Sequence, residues 1–270
     1  MKISFHGGAR EVTGACHLLA TADAKILIDC GLFQGGRELE ESNFEPFGFR
    51  APEINAVIIT HAHIDHIGRL PKLVREGFGG VIFSTAATRD LAEALLEDAL
   101  HIAERESRDG RGTRVLYGVE DVRRTMSLWR TAPYREAQRT GDAEFVLYDA
   151  GHILGSAMVE IRAEGKRLLF TGDLGNVPSV LLPPPDKVEV LGIEYLIMES
   201  AYGTRTHEAA AERTLKLERA VEDAAARGGT LLIPAFATER TQDILFLLNE
   251  MAHEKRIPDL PIFVDSPLAI

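Results

Sequence analysis

Short apolar runs dominate the first sixty positions of the chain. Ile3–Phe5, His17–Ala20 and Lys25–Asp29, separated by glycine or turn-like segments, predict strands, and Ala56–Thr60 predicts a fourth. The period then changes. Ile67, Leu70, Leu73 and Val74 recur at helical spacing, which predicts a helix over Ile64–Glu76. Val81–Ser84 reads as a strand and Ala86–Arg105 as a helix with Leu91, Leu95 and Leu96 on one side. A helix follows Gly118, capped by Asp121 or begun slightly earlier. Strands return at Glu144–Tyr148, Ala157–Arg162, Arg167–Thr171 and Glu194–Met198.

From residue 201 the texture is different. His207–Arg227 is rich in alanine and charge and stops at Gly228–Gly229, the pattern of a helix with a glycine terminus. Thr230–Pro234 predicts an apolar strand, Thr238 to about His253 a helix, and Pro261–Asp265 another strand. Such βαβα alternation suits a parallel sheet. The proline-rich link Pro183–Pro185 precedes the change, while the strand at Glu194 still belongs to the first part. The expected division is therefore 1–200 and 201–270. Internal repeats and low-complexity tracts are absent.

Composition narrows the class. With 270 residues, 45% of them hydrophobic, the chain can bury a substantial core. No apolar run reaches the length of a membrane span, and Met1-Lys2-Ile3-Ser4 lacks a signal-peptide profile. Cys16 and Cys30 are too few for a disulfide framework and read as small buried residues, so a reduced, cytoplasmic protein is expected. The net charge of −11 argues at first against a polyanionic substrate. Its distribution softens that. Residues 101–140 hold nine arginines (105, 108, 111, 114, 123, 124, 130, 135 and 139) against six acids. This stretch reads either as a solvated face of a helical excursion or as a local basic surface.

The chemistry-bearing signal is His61-Ala62-His63-Ile64-Asp65-His66, directly after an apolar strand. In extended chain His61 and His63 point the same way and can chelate one metal. Asp65 and His66 open a helix and turn toward a second position, and a helix N-terminus favours the ionised carboxylate a metal needs. Imidazoles with carboxylates suit zinc with an open coordination position. Three other stretches could supply partners: His152 on a tight loop in Ala150-Gly151-His152, Asp173 at the end of an apolar strand, and Asp29 at another. Alone, an aspartate in a glycine-containing loop is usually a turn residue. Together they read as ligands gathered on one rim of a sheet.

The order Asp29, His61-X-His63-X-Asp65-His66, His152, Asp173 resembles the first four motifs of the metallo-β-lactamase superfamily. The resemblance implies an α/β, αββα sandwich. His61, His63 and His152 would hold one zinc, Asp65 and His66 the other, Asp173 would bridge, and Asp29 would orient the loop. Glu199-Ser200-Ala201-Tyr202-Gly203 resembles the segment that opens the β-CASP region of nucleic-acid-processing members, with Ala201 in place of the usual Thr. Residues 233–242 and 264–269 resemble the strands and helix that follow in that region. Gly7-Gly8-Ala9-Arg10-Glu11-Val12-Thr13-Gly14 resembles the start of RNA-specific members, close to bacterial and archaeal relatives of the polyadenylation cleavage endonuclease.

That branch implies cleavage of single-stranded RNA, endonucleolytically or from the 5′ end, by hydroxide activated between two zinc ions. Asp65 would take the proton and Glu199 would help the leaving group. Thr238, Arg240 and Ser266 are the expected phosphate contacts, since a helix start and a strand-end loop expose backbone N–H groups; for Arg240 a surface ion pair is the alternative. The family's further C-terminal histidine has no match here. The expectation is thus a chain lacking the closing elements of the first domain and most of the inserted β-CASP domain. It would hold one zinc firmly and the second weakly, with little turnover alone, and the parent would dimerise through the missing C-terminal region. Two other readings stay open: a small-molecule thioester or lactam hydrolase of the same fold, and a non-catalytic zinc- or RNA-binding protein.

Overall fold

The computed structural model describes residues 1–110, 114–266 and 268–269. Arg111 of the arginine-rich stretch and Pro267 lie outside them. The chain divides into two compact units, Met1–Gly175 with Pro185–Glu199, and Asn176–Pro184 with Ser200–Ile270.

The first unit holds strands β1 (Lys2–Phe5), β2 (His17–Ala20), β3 (Lys25–Ile28), β4 (Ala56–Ile58), β5 (Val81–Ser84) and β6 (Trp129–Thr131), which form one sheet in sequence order. β1, β2 and β3 pair antiparallel, whereas β3 to β6 run parallel. The second sheet has the order β11 (Tyr195–Ile197), β10 (Lys166–Phe170), β9 (Ala157–Ala163), β8 (Ala143–Asp149), β7 (Gln138–Thr140), antiparallel except at β10–β11. The helices are α1 (Arg37–Glu41), α2 (Ile64–Ile67), α3 (Leu70–Arg75), α4 (Ala86–Arg108) and α5 (Val119–Ser127).

Burial explains the layering. β4 is apolar on both faces and buried on both, as a central parallel strand must be. Leu19, Ile26, Ile28 and Ile58 pack with Phe145, Leu147, Val159, Ile161 and Phe170 of the second sheet. On the other face of the first sheet, Leu27, Val57, Ile59 and Ile82 pack with Leu70, Leu73, Leu96 and Trp129. Each such side chain stabilises the fold by about 1.5–3 kcal/mol relative to exposure. α4 buries Thr88, Ala92, Leu96 and Leu100, one residue every fourth position. Its N-terminus is capped by Thr85, whose hydroxyl accepts the Thr88 N–H. Cys16 and Cys30 are free and buried, as expected.

Four details depart from the sequence pattern. The helix predicted over Ile64–Glu76 is two helices, because Arg69 leaves helical geometry (φ −101, ψ 4) and Pro71 restarts the chain in the first turn of α3. Asp121 does not cap α5, which takes the earlier of its two expected starts, at Val119; the Asp121 carboxylate accepts the Gly118 N–H at 2.9 Å from inside the helix. The three-residue strands β6 and β7 carry no legible alternation; pairing with β5 and β8 defines them.

The second unit contains α6 (Ala210–Ala226) and α7 (Arg240–His253). Val221, Leu248, Met251 and Ile257 form its small core, and Arg256 pairs with Glu218. Gly228, at φ 62, ends α6 as its sequence predicts. The strands predicted at Thr230–Pro234 and Pro261–Asp265 are not formed; an apolar run becomes a strand only when a neighbour pairs with it, and neither segment pairs among the described residues. Among the described residues, the parallel sheet expected for this region is therefore not formed. Among the described residues, no helix is long and apolar enough to cross a membrane.

Candidate metal centre

The sequence-predicted ligands of the first unit meet at the end of the sheets where β3, β4 and β10 finish. Asp29 follows β3, residues 61–66 follow β4, and Asp173 follows β10. His152 lies on the turn between β8 and β9, a turn built on left-handed glycines (Gly151 φ 62, Gly155 φ 84). Ser156, fully buried, fixes that turn by accepting from the N–H groups of His152 (3.0 Å) and Ile153 (3.3 Å) with its hydroxyl oxygen. The two sheets are joined at this edge by Ala157 N–H donating to the Thr60 carbonyl at 2.7 Å.

His61 Nε2 lies 3.1 Å from His63 Nδ1, which in turn lies 3.1 Å from His152 Nε2. With a carboxylate oxygen of Asp173 these atoms all fall within 4.8 Å of one another. Zinc–nitrogen bonds of about 2.0–2.1 Å in tetrahedral geometry require ligand atoms about 3.3 Å apart, so the donor set fits zinc in both type and spacing. Burial, helped by His66, His63 and His152, pushes the His61 pKa well down, and burial also lowers that of His63. Both shifts favour the neutral ring, the form that ligates.

Asp173 faces both halves of the site. Its Oδ2 is 3.8 Å from His61 Nε2 and 3.6 Å from His152 Nε2, while Oδ1 is 3.5 Å from His66 Nε2. Asp65 Oδ2 stands 3.8 Å from the same His66 nitrogen. Burial raises the Asp173 pKa to about 6, against the lowering effect of His66 and with Asp65, Glu199 and Asp29 adding to it. For His66, burial alone would lower the pKa; charge and hydrogen bonding from Asp29, with Asp173 and Asp65, outweigh it and bring the value to about 9.

Asp29 lies behind this cluster, in contact with Thr60 and His66. It adopts φ 61, a left-handed conformation that aspartate tolerates better than most residues. Its Oδ1 accepts the Thr60 N–H at 2.8 Å; its Oδ2 accepts the Thr60 hydroxyl at 2.8 Å and His66 Nδ1–H at 2.7 Å. Gly31 is required beside it, because a Cβ there would run into the Asp65 carbonyl.

Glu199 is brought to the Asp173 loop, where its Oε1 accepts the Leu174 N–H at 2.8 Å. Thr238, Arg240 and Ser266 belong to the second unit. Arg240 is the first residue of α7 and its guanidinium lies 3.7 Å from Asp243, the ion pair that its helical position allows. Two contributors escaped the sequence pattern. Arg69, buried, donates to the carbonyls of Gly31 and Gly14 and stacks 4.3 Å over Phe33. Thr60 is the other. A charged or hydroxyl residue next to a ligand run is the only signal either one gives.

Residues 9–235 match the profile of the Metallo-beta-lactamase superfamily. The chain is 41% identical over 269 residues to Ribonuclease TTHA0252 of Thermus thermophilus, covering 100% of itself and 59% of that protein. It is 35% identical to Transcription termination factor FttA of Methanocaldococcus jannaschii, over 98% of the chain and 42% of that protein. Identity to Endoribonuclease YSH1 of Saccharomyces cerevisiae is 32%, over 97% of the chain and 34% of that protein. The chain thus spans less than two thirds of each of these relatives.

Proposed function

The chain belongs to the metallo-beta-lactamase superfamily, and from that premise we propose that it carries the catalytic centre of a zinc-dependent ribonuclease of the β-CASP branch. The convergence of His61, His63, His152 and Asp173 within 4.8 Å carries this reading. The names of the relatives, two ribonucleases and a termination factor, support RNA as the substrate. In this proposal His61, His63 and His152 hold one zinc, Asp65 and His66 the second, and Asp173 is shared. Bound zinc supplies Lewis acidity and lowers the pKa of water toward neutrality.

The chain's own residues do the rest. Neutral imidazoles at His61 and His63 present lone pairs without first losing a proton. Asp65, with its carboxylate at the start of α2, is placed to accept a proton from an attacking water. Glu199, anchored through Leu174 N–H, is the group assigned to the departing oxygen. Residues 201–270 are proposed as the first part of a β-CASP domain, in which Thr238, Arg240 and Ser266 contact phosphates. The complete protein should cleave labelled single-stranded RNA and leave thioesters and lactams intact. Asp65→Asn should abolish cleavage while sparing RNA affinity. Rapid thioester hydrolysis with RNA left uncut would overturn the assignment.

A further inference from the structure

Thr60 plays no part in the function proposed above, yet it touches every segment that carries a ligand. It is 1% exposed. Its backbone N–H and hydroxyl both go to Asp29, and its hydroxyl oxygen also lies 3.0 Å from His61 Nδ1. Its carbonyl holds Ala157, where the His152 turn re-enters the sheet. On its other side lies Gly172, the residue before Asp173, at φ 53; a Cβ there would come 2.7 Å from Thr60 Cβ. The threonine therefore packs against the backbone of the Asp173 loop at Gly172.

We infer that Thr60 is a positioning residue of the metal centre, one that relays the Asp29 carboxylate to His61 and fixes which nitrogen of that ring faces the metal. This rests on the zinc reading above. An ionised carboxylate only accepts hydrogen bonds, and a hydroxyl has one proton to give. At 2.8 Å from Asp29 Oδ2, the Thr60 hydroxyl must spend that proton on the carboxylate, because two bare acceptor oxygens would otherwise face each other. Only lone pairs then remain for His61 Nδ1, so Nδ1 must carry the ring proton and Nε2 must carry the lone pair. Nε2 is the atom that meets His63 and His152. His66 is set the same way, by direct donation from Nδ1 to Asp29. One buried carboxylate thus fixes two rings, one directly and one through Thr60, the kind of support that outer partners give ligating histidines.

Two measurements test this on the 270-residue chain. In metal-free protein with ¹⁵N-labelled histidine, ring shifts at neutral pH should show His61 with protonated Nδ1 and bare Nε2; a protonated Nε2 overturns the inference whatever the variants do. Competition for Zn²⁺ with a chromophoric chelator should then show T60V, isosteric but without the hydroxyl, weakened by about 10–100-fold. T60S, which restores the hydroxyl, should stay within about threefold of wild type on the same grounds. Equal affinity in T60V and wild type, or an equal loss in T60S and T60V, would overturn the relay. Wild-type protein that takes up no Zn²⁺ would instead overturn the zinc reading, and the His61 tautomer would still decide the Thr60 contact.

Discussion

Asp29 and Asp243 are carboxylates taken out of water, one in each unit, and their surroundings treat them in opposite ways. Asp29 receives three hydrogen bonds, from Thr60 N–H, the Thr60 hydroxyl and His66 Nδ1. Among the described residues, Asp243 Oδ1 has no hydrogen-bond partner, and the Arg240 guanidinium stands 3.7 Å from Oδ2. Burial raises the Asp243 pKa, against the pull of Arg240 and Arg213. Beside it Glu239 sits at φ 65, and burial with the Asp243 charge lifts its pKa to about 7. The buried orphans Arg213 Nε and Gln242 Oε1 lie in the same unit. A buried carboxylate with both oxygens hydrogen-bonded can organise a site, whereas one left short is a cost the fold carries.

The largest expected effect follows from Asp29. Asp29→Ala leaves the buried Thr60 N–H and hydroxyl without their acceptor and takes away the charge that holds the His66 proton, and each buried donor left unsatisfied costs about 1–3 kcal/mol. Urea unfolding of the metal-free chain should show the first unit destabilised by that much. A loss under about 1 kcal/mol would erase the contrast with Asp243. Glu239 gives a smaller, pH-dependent effect. Its folded-state pKa is above the ordinary 4.5, so the folded chain binds its proton more tightly than the unfolded chain does. Its favourable contribution is present below pH 4.5 and is lost as pH rises through about 7. The urea midpoint of the second unit should fall across that window, and Glu239→Gln should flatten the dependence. An unchanged slope in the variant would place the cause elsewhere. The smallest effect is at Asp243: Asp243→Asn removes a poorly satisfied charge and should alter stability by no more than about 1 kcal/mol.

Much of the first unit was legible because its signals are periodic or dense. Four apolar runs became β1 to β4, and three histidines within six positions stood out from a total of nine. The convergence of His152 and Asp173 on that run depended on recognising the motif order, since neither residue is distinctive alone. Other features depend on contacts that leave no periodic trace. β6 exists because Trp129 pairs beside Ile82. The break between α2 and α3 sits at Arg69, whose guanidinium reaches back to Gly14 and Gly31. Thr60 is a single hydroxyl at the end of an apolar run. In the second unit the failure was of the opposite kind: Leu232 and Phe263 supply strand-like apolarity but are 86% and 88% exposed, and no pairing follows.

The central claim is that the first unit presents a zinc site assembled by His61, His63 and His152 before any metal arrives. Anomalous diffraction at the zinc edge, on crystals of the chain grown with Zn²⁺, tests it most directly. The account predicts a peak about 2.0–2.1 Å from His61 Nε2, His63 Nδ1 and His152 Nε2 together, with an Asp173 oxygen beside it. Zinc bound through His61 Nδ1, or zinc found only at other side chains while this cluster stays empty, would contradict it.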